Sequence, residues 1–160
     1  RDFIETREPD ASGTYTYSNI ARGRTSGVEL ESGLALREWR LDASYDHLRA
    51  RDLDSGGSLL GRPANSARAS ITGPLLLGVH HTLSALYTGR TPLDRVNGVI
   101  TREREGWTRV DARLLRAIAA GGEISVGVTN LFDRELFAGW PGFTGRQMFG
   151  GVSWKLGKLR

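Results

Sequence analysis

The feature that most constrains this chain is a two-residue alternation of apolar and polar side chains, repeated along most of its length. Successive side chains on an extended strand point to opposite faces, so the pattern defines two surfaces that meet different surroundings. Trp39, Leu41, Ala43 and Tyr45 share one face, and Arg40, Asp42 and Ser44 the other. Val79, Leu83, Ala85 and Tyr87 oppose His80, Thr82, Ser84 and Thr88, with His81 out of place on the apolar side. Val110, Ala112 and Leu114 oppose Arg109, Asp111 and Arg113, and Ile124, Val126 and Val128 oppose Ser125, Gly127 and Thr129. Towards the end, Met148, Gly150, Val152, Trp154 and Leu156 oppose Gln147, Gly151, Ser153 and Lys155. No window supports a long amphipathic helix comparably.

Matching the chain to period two gives about eight candidate strands. They run Asp2 to Arg7, Thr14 to Leu36 with a bend or bulge near Gly23, Trp39 to Arg51, Ala64 to Gly73, Val79 to Gly89, Trp107 to Ile118, Gly122 to Asn130, and Gly145 to Leu156. The 21 glycines set against five prolines suit tight turns and close-packed strands. The expected fold class is all-β.

Alternation alone does not separate a soluble sandwich from a membrane barrel with a polar lumen. Connection lengths add to it. They run about six, two, twelve, five, seventeen, three and fourteen residues in order, a long-short rhythm that ordinary loop statistics do not produce. Outer-membrane barrels have short periplasmic turns and long extracellular loops. With the short side periplasmic, Trp39 and Trp154 fall at the periplasmic edge, while Tyr15, Tyr17, Tyr87 and Trp107 gather at the extracellular edge. Apolar rings with one polar tip favour the headgroup zone, so two aromatic belts are expected. No run approaches the roughly 18 to 20 apolar residues of a membrane helix, and the mean hydropathy of -0.33 resembles that of a soluble chain. A membrane strand, however, turns only every second residue to lipid. The expectation is antiparallel transmembrane β-barrel strands.

Charge and chemistry exclude several functions. The net charge of +4 comes almost wholly from arginine spread along the chain, without a helix-turn-helix, zinc or RNP pattern, so no nucleic-acid partner is expected. The absence of cysteine removes disulfide scaffolds and thiolate metal sites. His80 and His81 point to opposite faces and cannot chelate one ion from regular strand geometry. Asp52, Asp54 and Gly56 resemble the start of a calcium loop, but the closing bidentate Glu is missing. Ser44, Asp46 and His47 form the one compact cluster of catalytic residue types, yet Asp46 and His47 face apart and no nucleophile elbow is present. No enzyme, catalytic residue, metal site or cofactor is expected.

Two loops are candidate contact surfaces. The stretch Arg134 to Thr144 carries Leu136, Phe137, Trp140, Pro141 and Phe143, aromatic and apolar groups that are costly to expose unless they pack on something. The basic stretch Arg90 to Glu105 could attract an anionic ligand, although Glu103 and Glu105 partly cancel Arg102 and Arg104. No ligand-binding residue is assigned.

Several motifs then carry a resemblance. Tyr15-Thr16-Tyr17-Ser18-Asn19-Ile20, followed by Gly27-Val28-Glu29-Leu30-Glu31, is similar to the Tyr-x-Asn and Gly-Val-Glu strand of TonB-dependent receptors. Ala43-Ser44-Tyr45, Pro63-Ala64-Asn65, Tyr87-Thr88-Gly89 and Val110-Asp111-Ala112-Arg113-Leu114 continue in that family's order. Val128-Thr129-Asn130-Leu131-Phe132-Asp133 resembles the Asn-Leu-Phe-Asp segment near the end of these barrels, with Gly145-Arg146 and a last strand after a loop. Physically, Asn130 and Asp133 at a strand exit can bond local backbone and start a loop, and Gly27 permits a bend or a close neighbour.

The resemblance implies a bacterial outer-membrane barrel of about 22 strands with a plugged lumen. It further implies TonB-energised import of a scarce nutrient, such as an iron-siderophore, haem or cobalamin, and a TonB contact through an N-terminal plug. Residues 1–160 are then expected to be the C-terminal part of such a barrel, without the plug, since about eight strands would leave edges that lipid cannot satisfy. Arg1 opens in mid-pattern without a signal peptide, which also suggests a fragment or truncated product. Leu156 stands where the family's terminal aromatic residue is expected. The alternative is a complete eight-stranded barrel, either an outer-membrane anchor or a soluble lipocalin-like binder.

Overall fold

The computed structural model describes residues 3–6, 12, 14, 17–20, 22–54, 56–96, 99–135 and 145–155, with backbone alone at 3–6, 17–20 and 120. The strands in chain order are β1 Phe3–Thr6, β2 Tyr17–Ile20, β3 Gly23–Leu36, β4 Trp39–Asp52, β5 Asn65–Pro74, β6 Val79–Thr88, β7 Thr91–Val96, β8 Val99–Arg104, β9 Trp107–Ile118, β10 Gly122–Thr129 and β11 Gln147–Trp154. Seven of them form one sheet in the order β11-β10-β9-β6-β5-β4-β3, an antiparallel meander into which the β7–β8 hairpin is inserted.

Two expectations are refined. The span Thr14 to Leu36 holds two strands, and β2 pairs with β1 in a separate sheet, with Phe3 opposite Ile20 and Thr6 opposite Tyr17. The seventeen-residue connection holds β7 and β8, which also pair as a separate sheet. Val96 sits opposite Val99, and Asn97 and Gly98, which follow Val96 in the sequence, lie outside the described residues. Asn-Gly between β-formers is the strongest short-range hairpin signal a sequence carries.

The chain divides into two compact units, one of residues 1–30, 45–67 and 87–107, the other of 31–44, 68–86 and 108–160. The second unit holds the short turns. Arg37 and Glu38 alone join β3 to β4, and Arg37 takes a left-handed φ of 55°. Single 3-10 turns, Leu76–Gly78 and Ala119–Gly121, close the others. Within this unit Val126 lies between Leu114 and Gly150, and Val128 between Ala112 and Met148. Ile124 lies between Arg116 and Val152, the one charged interruption in these apolar rows, and an arginine stem is long enough to carry its head towards water.

Burial along the strands is the reverse of that in a soluble domain. The apolar positions Leu34 (58% exposed), Leu41, Val126 and Val152 are open, whereas Asp42 and Ser44 on the alternate face are half-buried. The first unit repeats this. Val28 and Leu30 are about 60% exposed, while Asp46 is half-buried and Asp52 buried. The buried apolar core among the described residues is Ala50 and Leu59, with Leu48 against it. So small a core cannot drive folding in water; the large apolar area lies on the open face instead.

Candidate functional site

The open apolar face is finished by aromatic rings at the strand ends. In the second unit the Trp39 indole lies flat over Gly73, where a Cβ would stand 2.5 Å from the ring. The ring's other neighbour is His81, edge-on with centroids 5.3 Å apart. Trp154 covers Gly122 in the same manner, a Cβ there meeting its ring at 2.8 Å. Both rings sit at the short-turn ends of their strands, as the sequence requires. In the first unit Tyr87 and Trp107 stand at the long-connection ends of β6 and β9, with the Tyr87 hydroxyl close to Gly106. Tyr15 and the side chain of Tyr17 lie outside the described residues.

The same outer face carries a polar row in the first unit. Tyr45 donates its hydroxyl to Asn65 Oδ1 at 2.8 Å, and His47 Nδ1 meets the same oxygen at 2.9 Å. Asp46 instead accepts from Ser66 on the opposite face at 3.2 Å. The structure therefore keeps Asp46 and His47 apart. Gly27, as expected, admits a close neighbour, since a Cβ there would collide with the His47 carbonyl.

The polar face of the second unit bears paired charges. Arg40 forks Asp42 with two hydrogen bonds of 2.8 Å, beside a concavity of about 440 Å³ lined by Glu31, Gly33, Ser44 and Arg68 as well. Arg109 pairs with Asp111 at 3.0 Å, and Thr72 meets Thr82 at 3.1 Å. Phe149 also lies on this face, over Gly127, whose Cβ position falls inside the ring's contact distance. Alternation by itself gives no sign of it, because the space for the ring comes from a glycine on the neighbouring strand.

Asn130 ends β10 in a knot of backbone bonds. It is 2% exposed and takes a φ of 53°. Its backbone N–H donates to Asp111 Oδ1 at 2.8 Å. Its side chain donates to the Arg134 carbonyl and accepts from the Arg134 N–H, both at 3.0 Å. Asp133 Oδ1 then accepts from the Arg146 N–H at 2.7 Å, tying the start of the loop to its end. This is the backbone-bonding role expected of Asn130 and Asp133. The contact residues expected in the loop Arg134 to Thr144, namely Leu136, Phe137, Trp140, Pro141 and Phe143, lie outside the described residues.

In the first unit the basic stretch Arg90 to Glu105 is held by its own arginines. Arg95 reaches Asp52 at 3.4 Å and the Ser58 carbonyl at 3.3 Å. Arg104 is buried and donates to Thr91 Oγ1 at 3.2 Å. Arg102 pairs with Asp94 at 2.7 Å. Sequence reasoning set Arg102 and Arg104 against the adjacent glutamates; the hairpin register brings them other partners.

Among the described residues no group of three or more His, Asp or Glu side chains could hold a metal ion. Among the described residues no helix is long and apolar enough to cross a membrane, which has no bearing on strands.

Comparison with known proteins agrees with this geometry. The family described as "TonB dependent receptor-like, beta-barrel" matches residues 1–131. The vitamin B12 transporter BtuB of Photobacterium profundum is 28% identical over 127 residues, 79% of this chain and 20% of that protein. Among solved structures, the copper transporter OprC aligns with a TM-score of 0.73 at 20% identity, over 95% of this chain and 27% of its own. A mutant of the ferric enterobactin receptor PfeA from Pseudomonas aeruginosa aligns at 0.70 with 15% identity, over the same shares. The ferric yersiniabactin uptake receptor FyuA from Yersinia pestis aligns at 0.63 with 22% identity, over 86% of this chain and 23% of its own. The chain thus spans about a fifth to a quarter of the length of the proteins it matches.

Proposed function

Because the chain belongs to the TonB-dependent receptor-like β-barrel family, we propose that it supplies C-terminal wall strands of an outer-membrane importer. Barrels of this family are outer-membrane proteins, and its members are transporters and receptors. The observation that carries the reading to this chain is the inverted burial: Leu34, Leu41, Val126 and Val152 face outward while Asp42 and Ser44 are half-buried. A lipid-facing strand has that distribution, and a lipocalin-like binder, with its apolar interior, has the opposite one. β3 and β11 are the edges of the sheet among the described residues, and in lipid their backbone groups require further strands.

In this reading long extracellular connections capture a scarce nutrient and a plug supplied by the rest of the receptor opens under TonB. The cargo is a metal chelate or cobalamin; the relatives named above handle vitamin B12, copper and ferric chelates. These strands form and break no covalent bonds. They hold the loops and enclose the polar lumen.

The test uses the full receptor. It should fractionate with the outer membrane, run as a compact band until boiled, and restore uptake of labelled cobalamin or of one ferric siderophore to a receptor-deficient strain only when TonB is present. Recovery in the soluble fraction would overturn the reading, as would uptake independent of TonB.

A further inference from the structure

The outer face of β3 and β4 changes character along its length. Counting back from the turn at Arg37 and Glu38 sets Leu30 opposite Tyr45, Val28 opposite His47, Ser26 opposite Arg49 and Arg24 opposite Arg51. The contact between Gly27 and the Leu48 Cα, 3.4 Å from an ideal Cβ, fits this register. Val28 and Leu30 are open apolar surface. Level with them across the sheet is the polar row of Tyr45, His47 and Asn65, and beyond both lie Ser26, Arg24, Arg49 and Arg51. These four and Leu53 line a concavity of about 310 Å³.

Its charge is one-sided. No Asp or Glu lines it, and among the described residues none of its three arginines pairs with a carboxylate. Asp54 is held by Arg22 at 2.9 Å and Asp52 by Arg95, while Glu29 and Glu31 point to the opposite face by alternation. With no carboxylate on them among the described residues, the three guanidinium groups repel one another, and a phosphate relieves that repulsion with forked hydrogen bonds. The apolar band immediately beside them suits acyl chains, which a free anion lacks.

We propose that Arg24, Arg49 and Arg51 form an outward-facing site for the phosphorylated headgroup of a membrane lipid whose acyl chains lie along Val28 and Leu30. The inference rests on the reading above that this face meets lipid. Clusters of arginine at a membrane margin bind anionic headgroups, each charge contributing several-fold.

The test places the full receptor in phosphatidylcholine nanodiscs doped with bisphosphorylated lipid A and measures bound lipid by native mass spectrometry. Dephosphorylated lipid A and inorganic phosphate are the comparison probes. Wild type should retain bisphosphorylated lipid A over the dephosphorylated form, and R24A/R49A/R51A should bind it roughly a hundredfold more weakly. R24K/R49K/R51K, which keeps the charge but not the forked hydrogen bonds, should bind between the two. Equal retention by an alanine variant that still inserts, or of the dephosphorylated lipid, would overturn the proposal. Displacement of the lipid by millimolar inorganic phosphate would overturn it in favour of a free-phosphate site. Failure of the wild type to insert would overturn the lipid-facing reading as well, whereas insertion with unaltered lipid binding overturns this inference alone.

Discussion

Replacing Asn130 tests whether the knot after β10 is held by a side chain or by a backbone conformation. Asn130→Ala removes two hydrogen bonds, to the Arg134 carbonyl and from its N–H, each worth about 1 kcal/mol. Arg134 is exposed, so its backbone groups regain water and carry no further penalty. Alanine must also adopt the φ of 53° that asparagine tolerates, at a cost of about 1 kcal/mol. The sum is roughly 3 kcal/mol, equivalent to a local opening about a hundredfold more populated. Asn130→Gly loses the same bonds without the steric cost, so roughly 2 kcal/mol and about thirtyfold are expected. The readout is hydrogen exchange at Leu131 and Asp133 in the full receptor, because their bonds to the Val110 and Asn130 carbonyls do not involve the substituted side chain. Exchange within threefold of wild type in the alanine variant would refute the role of the knot. Equal exchange in the two variants would refute the contribution of backbone strain.

Gly73→Val should place a branched side chain where the Trp39 ring lies, costing roughly 1 to 3 kcal/mol; cold-versus-boiled electrophoresis should show less compact receptor, partly recovered by adding Trp39→Ala. Leu30→Arg, midway along β3 on the open apolar face, should cost about 2 to 4 kcal/mol of stability measured by urea unfolding. Ser44→Arg, on the polar face, should cost under about 1 kcal/mol. Arg95→Met removes the guanidinium that reaches buried Asp52 at 3.4 Å, a loss of roughly 2 kcal/mol that should quicken proteolysis of the β7–β8 hairpin. Adding Asp52→Asn should reverse most of it.

The strands were legible because period two survives any change in what surrounds them. Trp39, Val79, Trp107 and Gly122 start strands where alternation places them, and the family motifs lie on those strands. What escaped was information held between strands. The β7–β8 hairpin was hidden by its charge, although Asn97-Gly98 marked it. The inward turn of Arg95 and Arg104 depends on partners at Asp52 and Thr91, which no spacing along the chain announces. Arg49 and Arg51 lie two residues apart in the apolar register of β4 and Arg24 occupies that register on β3, so a search of that face for charge as well as for lipid contact would have found them.

Glycine, abundant at 21 residues, has a specific use in a sheet whose large apolar area is left open. Such a sheet cannot pack its rings into a second layer, so a ring stabilises it by lying across the neighbouring strand. That requires bare backbone beneath. Trp39 over Gly73 and Trp154 over Gly122 do this on the outer face, and Phe149 over Gly127 does it on the polar face. Each pair joins two adjacent strands, β4 to β5 or β10 to β11, so packing runs sideways along the sheet. Cross-strand cohesion of this kind works equally well whether lipid or water covers the ring, because the contact is between ring and backbone. On the proposed reading, the wall presents lipid on one face and a polar lumen on the other with an apolar core no larger, among the described residues, than Ala50 and Leu59 with Leu48 against them.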